Sequence, residues 1–220
     1  MSPRSKGLPT KAAAPARGAR ATRARAVGAR RRIRAVESLG PARSLLARIK
    51  LLVLDVDGTL TDGRLYYSKD GEALKAFDVR DGHGLRLLAL CGGVKLAVLT
   101  GRRADLIRVR CQELGIGKVV ERSRAKADAL PKLCRELDVT LAQTCFIGDD
   151  LNDLGALALC ALQACPADAV REVRAQVEAA GGFVARSRGG RGAVRELCEA
   201  LLAATVGWPP PELAPEAFKT

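Results

Sequence analysis

Three short, largely apolar runs along the chain are each followed at once by polar residues or glycine. They occupy residues 49–54, 94–99 and 144–147. Such runs are typical of strands that are buried on both faces of a parallel sheet. Stretches with the spacing of amphipathic helices lie between and after them, at residues 82–91, 103–114, 125–137 and 150–159. The alternation predicts a three-layer α/β fold, a Rossmann-like parallel sheet with helices on both sides.

Residues 64–79 interrupt this alternation just after the first strand. Their side chains alternate on either side of the turn Lys69-Asp70-Gly71, which is the pattern of a β-hairpin. The hairpin is far too short for a large cap domain, so we expect a small flap beside the sheet. Ligands of such sheets lie beyond the carboxyl ends of the strands, and the polar ends of the three predicted strands therefore converge on one crevice.

The positive charge of the chain is concentrated at its N-terminus. The 220 residues carry a formal charge of +13, and residues 1–48 contain 13 Lys and Arg against one acid, Glu37. This segment predicts a basic tail, disordered over about its first 30 residues, with a short helix within 33–48. We expect one folded domain at 49–204 and a proline-rich tail at 205–220.

The composition leaves the role of the basic tail open. An organelle transit peptide, an arm for nucleic acid or a membrane surface, and a solvated segment without a role all fit, and we favour the last. No apolar run is long enough for a membrane span, and we expect a cytoplasmic protein. The seven cysteines form no C-x-x-C pair and His83 is the only histidine, which favours buried thiols in a reducing compartment over a zinc site.

The strongest chemical signal is the acidic motif at residues 55–59, directly after the first strand. Alternate residues at a strand end point the same way, so Asp55 and Asp57 are predicted to face one site. Two close carboxylates favour a hard divalent cation such as Mg²⁺, and one can attack an electrophile while the other transfers protons. A calcium-binding loop is excluded, because its later acid, glycine and glutamate positions are not filled. An acidic, solvated turn stays open as the alternative.

Polar residues after the other predicted strands add to this signal. Thr100-Gly101-Arg102 offers a hydroxyl and backbone amides suited to a phosphate, and Lys126, after a short strand near 117–120, offers a fixed ammonium. Residues 148–153 add acids suited to a metal. Taken singly, these are a turn, a surface lysine and a helix N-terminus. Their occurrence together, each after a strand, favours a site for a phosphorylated substrate.

In these motifs the sequence resembles the phosphatases of the haloacid dehalogenase (HAD) superfamily, whose four motifs fall at Asp55–Thr59, Thr100, Lys126 and Gly148–Asp153. Within it, residues 49 to about 203 are similar to the 3-deoxy-D-manno-octulosonate 8-phosphate (KDO 8-phosphate) phosphatases. The closer resemblance is carried by residues 55–63, 75–84, 100–102, 148–150 and 189–196. It implies a HAD-like fold with the hairpin as its only flap.

The resemblance also implies roles for individual residues. Asp55 would be the nucleophile that forms an aspartyl-phosphate, and Asp57 would protonate the leaving oxygen and then activate water. Mg²⁺ would be held by Asp55, the main-chain carbonyl of Asp57 and Asp149, and the phosphoryl oxygens by Thr100 and Lys126. The residues implied for substrate binding are Asp57, Asp78, Val79, Arg80, Asp81, Gly82, Arg86, Arg102, Arg110 and Lys126. Arginines suit a substrate that presents a carboxylate and a phosphate.

The function so implied is a Mg²⁺-dependent phosphatase for a sugar-acid phosphate, with KDO 8-phosphate favoured and a role in KDO and lipopolysaccharide biosynthesis. A nine-carbon, sialic-acid-type phosphate and a non-catalytic tetramerising module are the alternatives. A nucleic-acid end phosphatase that uses the basic tail is disfavoured, because the rest of the chain is nearly neutral and poor in aromatic residues. Members of the family form tetramers in which neighbouring chains close each site, so we expect a homotetramer without a membrane partner.

The sequence departs from the family just before Lys126. Glu121-Arg122 stand where a Gln-Gly pair is frequent, so the loop that carries Lys126 is the part of the site that the resemblance specifies least. His83 lies within a family motif, and we interpret it as a helix-start residue near the site rather than a catalytic one.

Deleting residues 1–30 is predicted to leave turnover and Tm nearly unchanged, because this segment has no apolar periodicity with which to dock on the domain. Thermal unfolding and an activity assay on the full-length and shortened chains check the prediction. A drop in Tm of several degrees would show instead that the segment packs.

Overall fold

The computed structural model describes residues 41–211. The predictions made for residues 1–40 and 212–220, most of both tails, lie outside the described residues, and the domain boundaries stay predictions. Within the described part, the chain just before the first strand forms a short helix, α1 (Arg43–Leu46), whose Leu46 is buried.

A parallel sheet of six strands forms the centre of the fold, in the order β5–β4–β1–β6–β7–β8. Leu51 of β1 lies opposite Lys95 of β4 and Thr144 of β6, so the three strands end at one edge. The strands within residues 41–211 are β1 (Leu51–Leu54), β2 (Tyr66–Ser68), β3 (Gly71–Leu74), β4 (Lys95–Leu99), β5 (Lys118–Val120), β6 (Thr144–Ile147), β7 (Leu162–Cys165) and β8 (Phe183–Val184).

Helices cover both faces of the sheet. After α1 they are α2 (Val79–Gly92), α3 (Arg108–Glu113), α4 (Lys126–Glu136), α5 (Leu154–Leu159), α6 (Arg171–Ala179) and α7 (Ala193–Thr205), with 3-10 turns at Leu141–Gln143 and Leu151–Asp153. Leu52 and Leu54 of β1 pack with apolar residues of α2 and α7, whereas Leu51 and Val53 pack with those of α4, α5 and α6. The predicted three-layer α/β fold is therefore confirmed.

The sheet and its connections differ from the sequence-based expectation in several places, and helices α6 and α7 were not predicted. Strands β7 and β8 were not predicted, because β7 contains a polar Gln163 and β8 has only two residues. The helix predicted at 103–114 shortens to α3, because the chain before it is held in turns. The backbone N–H of Ala104 there donates to Glu121 Oε2 at 2.6 Å.

The hairpin predicted after the first strand is present as the antiparallel pair β2 and β3. Its apolar side chains face outward: Leu65 is 42%, Tyr67 66% and Leu74 51% exposed. Phe77, which follows the hairpin, is half-buried and packs against the cluster of α2 and α7. The flap is thus anchored at its end and leaves an apolar surface uncovered within the single chain.

None of the helices in residues 41–211 is both long and apolar enough to cross a membrane. The seven cysteines, all within residues 41–211, form no disulfide, and six of them are buried. Burial raises the pKa of the Cys165 thiol to about 12. The Cys165 thiol therefore stays protonated and behaves as a small apolar side chain.

Candidate active site

Asp55 lies directly after β1, and its backbone continues the sheet by donating to the carbonyl of Ile147 at 3.0 Å. The residue is only 5% exposed. One carboxylate oxygen, Oδ1, accepts a hydrogen bond from Lys126 Nζ at 2.5 Å. The buried strand thus delivers this carboxylate to the edge of the sheet in a fixed orientation.

Three carboxylates and one ammonium meet at this edge. Asp55, Asp149 and Asp153 each offer an oxygen, and these atoms lie within 4.8 Å of one another. Lys126 begins α4, and its ammonium lies 2.5 Å from Asp55 and 2.6 Å from Asp153. With all carboxylates ionised, one ammonium leaves this acidic cluster with a formal charge of −2.

The excess of negative charge changes the titration of the cluster. Burial, with repulsion from Asp153 and against the attraction of Lys126, raises the pKa of Asp55 to about 6. Burial, with repulsion from Asp55 and Asp153, raises the pKa of Asp149 to about 8. Burial alone would lower the pKa of Lys126, but Asp55 and Asp153 reverse this and raise it, so the ammonium stays charged.

The cluster fits a hard divalent cation. Its donors are carboxylate oxygens, and a charge of +2 would cancel its formal charge and remove the repulsion that raises the two carboxyl pKa values. The structure brings together Asp55 and Asp149, both of which the resemblance implied as metal ligands. It adds Asp153, whose Oδ2 also accepts the backbone N–H of Asp149 at 3.0 Å. The acidic motif at 148–153 contains Asp153, but nothing in the motif distinguished this residue from its neighbouring acids as a member of the cluster.

The carboxylate of Asp57 belongs to a separate group of charges. Lys75 Nζ donates to Asp57 Oδ1 and lies 2.6 Å from Glu72 Oε1. Arg102 Nη2 lies 3.3 Å from Glu72 Oε2, and its Nε lies 4.0 Å from Asp57 Oδ2. Asp57 and Arg102 were predicted site residues, whereas Glu72 and Lys75 were missed. The only signal for Lys75 was its position in the family motif 75–84.

Thr100 follows β4, the neighbour of β1 in the sheet, and is 2% exposed. Its hydroxyl accepts the backbone N–H of Arg102 at 3.2 Å. Lys126 reaches the same edge although Glu121 replaces the frequent family residue in the loop before it. Glu121 binds the preceding turn and pairs with Arg108 at 3.0 Å. Although Glu121-Arg122 differ from the frequent family pair, the loop still brings Lys126 into contact with Asp55.

Glycines allow the loop after Asp55 to pack closely on both sides. Gly58 has φ +90°, and a Cβ on it would lie 2.0 Å from Asp149 Oδ2. A Cβ on Gly189 would lie 1.7 Å from the carbonyl oxygen of Gly58, and the N–H of Gly190 donates to the Thr59 carbonyl at 2.9 Å. The family motif at 189–192 thus supports the loop that carries Asp57.

The start of α2 holds several of the predicted substrate contacts, and hydrogen bonds within the chain occupy two of them. Asp78 caps α2 by accepting from the N–H of Arg80 at 2.7 Å. Asp81 is 1% exposed, and its oxygens accept from the N–H groups of Gly192 at 3.2 Å and Arg195 at 2.7 Å. Asp81 therefore holds the N-terminus of α7 to α2.

Four further predicted contacts, Val79, Gly82, Arg86 and Arg110, line a cavity of about 450 Å³, whereas Arg80 pairs with Asp78 at 2.7 Å. The lining residues of the cavity are Val79, Gly82, His83, Arg86, Arg110, Glu113 and Leu114. Among the predicted catalytic residues Lys126 contacts Asp55 directly, and none of them belongs to this lining.

The known proteins whose sequences are similar to this chain belong to one group of hydrolases. The haloacid dehalogenase-like hydrolase family model matches residues 78–160. The 3-deoxy-D-manno-octulosonate 8-phosphate phosphatase KdsC of Escherichia coli K12 is 41% identical over 156 residues, 71% of this chain and 80% of that protein. The corresponding protein of Yersinia pestis is 40% identical over 158 residues, 72% of this chain and 82% of that protein.

Two solved structures are similar in fold as well as in sequence. The cobalt-bound deoxy-D-mannose-octulosonate 8-phosphate phosphatase of Haemophilus influenzae is 40% identical with a TM-score of 0.69, covering 73% of this chain and 91% of that one. The phosphatase of Moraxella catarrhalis, solved with a magnesium ion, a phosphate ion and KDO, is 36% identical with a TM-score of 0.69, covering 74% and 91%.

MgCl₂ is predicted to raise Tm more at pH 8 than at pH 6. The raised pKa values of Asp55 and Asp149, about 6 and about 8, mean that the folded cation-free protein holds protons that the unfolded chain has lost. Its stability therefore falls as pH rises through this range, while the ionised carboxylates bind the cation more strongly. Thermal unfolding with and without MgCl₂ checks this.

The variant Asp149→Asn is the matched control, because the amide has nearly the same shape and does not ionise. It should show a smaller MgCl₂ effect and little difference between the two pH values. An equal rise in Tm at pH 6 and pH 8 for the parent protein would contradict the interpretation of the cluster.

Proposed function

The chain belongs to the 3-deoxy-D-manno-octulosonate 8-phosphate phosphatase family of haloacid dehalogenase-like hydrolases, and from this we propose that it hydrolyses a sugar-acid phosphate through an aspartyl-phosphate on Asp55. The enzyme class is that of the phosphoric monoester hydrolases. The observation that carries the proposal is the buried Asp55 carboxylate, held at a strand end between Lys126 and two further acids.

Asp55 is suited to act as the nucleophile because its position is fixed before the substrate arrives. Its carboxylate oxygen forms the new bond to phosphorus while the bond from phosphorus to the sugar oxygen breaks. Lys126 lies 2.5 Å from Asp55, so its ammonium is close to the phosphoryl oxygens that become more negative during transfer. Thr100, at the end of the neighbouring strand, offers a hydroxyl to the same group.

Asp57 is the candidate acid and base, because it lies two residues after Asp55 and its carboxylate is 20% exposed. In the first step its proton goes to the leaving sugar oxygen. In the second step the carboxylate takes a proton from the water that cleaves the aspartyl-phosphate. Asp55 is therefore the nucleophile of this mechanism, and Asp57 is its proton donor and acceptor.

We further propose that the cation is Mg²⁺, held by Asp55, the main-chain carbonyl of Asp57 and Asp149, with Asp153 beside them. When bound, it supplies positive charge that neutralises the phosphoryl group and orients it for attack. The formal charge of −2 on the acidic cluster supports this assignment.

The proposed substrate is KDO 8-phosphate, the compound in the names of the curated relatives. The body of the chain also provides arginines suited to the carboxylate of a sugar acid. Arg102 lies beside Asp57, whereas Arg86 and Arg110 line the separate cavity at the start of α2.

This separation supports a homotetramer in which a neighbouring chain completes each site. Arg86 and Arg110 line a cavity whose lining residues do not include Asp55, and the hairpin leaves Leu65, Tyr67 and Leu74 exposed. A lone hairpin is marginally stable, and its apolar side chains would be covered by another copy. The cavity of one chain would then receive the sugar held over the acidic cluster of another.

Asp55→Asn is predicted to lower phosphate release by at least about 1000-fold while Tm stays close to that of the parent, because only the attacking oxygen is lost. The assay uses MgCl₂ with KDO 8-phosphate, a nine-carbon sialic-acid 9-phosphate and glucose 6-phosphate. Turnover of the variant within tenfold of the parent would refute the nucleophile, and preference for the nine-carbon compound would correct the substrate.

Leu65→Asp together with Leu74→Asp is predicted to dissociate the tetramer and to lower kcat/KM, because charge is placed on the apolar face of the hairpin. Light scattering and phosphate release measure the two effects. Leu90→Asp, another exposed apolar position (59% exposed) on α2, is the matched control. A parent protein that is a fully active monomer would contradict the proposed assembly.

A further inference from the structure

Lys75 is a cation at the end of the hairpin that contacts Asp57 but has no role in the mechanism proposed for the site. It follows β3 of the hairpin, and its side chain is only 2% exposed. Its ammonium donates to Asp57 Oδ1 and lies 2.6 Å from Glu72 Oε1. An ammonium that is removed from water in this way is costly unless carboxylates pair with it, and one of its two partners is the candidate acid and base.

The same contacts tie the hairpin to the end of the central strands. Glu72 lies on β3 and binds both Lys75 and Arg102, the latter at 3.3 Å. Arg102, which follows β4, also lies 3.5 Å from the hydroxyl of Tyr67 on β2. Both strands of the hairpin are therefore joined through charged and polar side chains to the residues beside Asp57.

Asp57 depends on this group for its orientation. Its Oδ1 is held by Lys75, and the other cation near it, Arg102, is 4.0 Å from Oδ2. A protonated carboxyl group that transfers its proton to a leaving oxygen must point at that oxygen within hydrogen-bond distance. The residue that sets its rotamer therefore affects proton transfer without touching the substrate.

We propose that Lys75 is a positioning residue that orients the Asp57 carboxylate and couples this orientation to the seating of the hairpin over the site. The inference rests on the proposed function, because it assigns Asp57 the proton transfer. Lys75 itself stays an ammonium throughout and gives up no proton. As the bond from Asp55 to phosphorus forms, the sugar oxygen leaves with the proton of Asp57.

This role makes the effect of Lys75 depend on the leaving group. A sugar alkoxide is a poor leaving group and needs a well-placed proton donor, whereas p-nitrophenolate leaves without one. Loss of orientation at Asp57 should therefore slow the first step, departure of the leaving group, far more for the sugar phosphate than for the aryl phosphate, whereas the second step is common to both. A general weakening of the site would slow both first steps, and loss of a cation that binds the sugar carboxylate would raise the concentration needed for half-saturation.

The test compares Lys75→Met, which keeps the length of the side chain and removes its charge, with Lys69→Met at the exposed hairpin turn. The first step is followed as release of KDO or p-nitrophenolate in a single turnover with excess enzyme and saturating MgCl₂, because the second step is common to both substrates. For Lys75→Met we expect the saturating rate of KDO release to fall at least about tenfold with the half-saturating concentration within about threefold, and the rate of p-nitrophenolate release to change less than about threefold. Lys69→Met should match the parent on both substrates.

Glu72→Gln is the second variant, because it keeps Lys75 but removes the other carboxylate that holds it. It should also slow leaving-group release from the sugar phosphate more than from the aryl phosphate, but by a smaller factor than Lys75→Met does. Hydrogen exchange provides a measurement that does not need turnover. Amides of residues 66–74 should exchange faster in Lys75→Met than in Lys69→Met.

Equal losses in the rate of leaving-group release from the two substrates, no loss, or a change confined to the half-saturating concentration would each overturn the inference, and so would unchanged hydrogen exchange of the hairpin. A parent protein that hydrolyses neither phosphate would refute the proposed function instead. The kinetics of the parent and the comparison of its variants therefore test the two proposals separately.

Discussion

The ion pairs of Lys126 are the interaction on which the rest of the site depends. Its ammonium is fully buried and lies between Asp55 and Asp153, a position that would be strongly unfavourable without both carboxylates. The carboxylates in turn would repel each other without the ammonium. Asp149, at the edge of the same cluster, receives no such pairing, and burial together with repulsion from Asp55 and Asp153 raises its pKa to about 8. The acidic cluster is therefore one electrostatic unit with room for a further positive charge.

The site contains two cationic centres that are supported in different ways. Lys126 is carried by α4 and enclosed by the core, so its position is as rigid as the sheet. Lys75 contacts Asp57 from the hairpin and Arg102 does so from the loop after β4, and the side chains of Arg102 and Asp57 are 39% and 20% exposed. In the proposed mechanism, attack on phosphorus depends on the core, whereas proton transfer depends on a hairpin at the surface of the chain.

The sequence predicted the features that arise from local patterns. Continuous apolar runs marked the central strands, and the acids, Thr100 and Lys126 after them marked the site, because parallel strands end at one edge. Contacts between distant segments were not foreseeable. Nothing in the pattern showed that Lys75 would reach Asp57, or that the carboxylate of Asp81 would accept a hydrogen bond from the backbone of α7. The resemblance, not the pattern, pointed to Arg86 and Arg110, and the structure locates them in a separate cavity.

The contact between Gly189 and Gly58 also bears on how the chain acquires activity during its synthesis. The backbone of residue 189 lies directly against the loop that follows Asp55, the proposed nucleophile, although more than half of the chain separates them. On the ribosome, the strands and the acidic motif emerge well before this support does. We therefore expect the loop to reach its final shape once the last quarter of the chain is present, so that the proposed phosphoryl transfer begins only when folding is nearly complete.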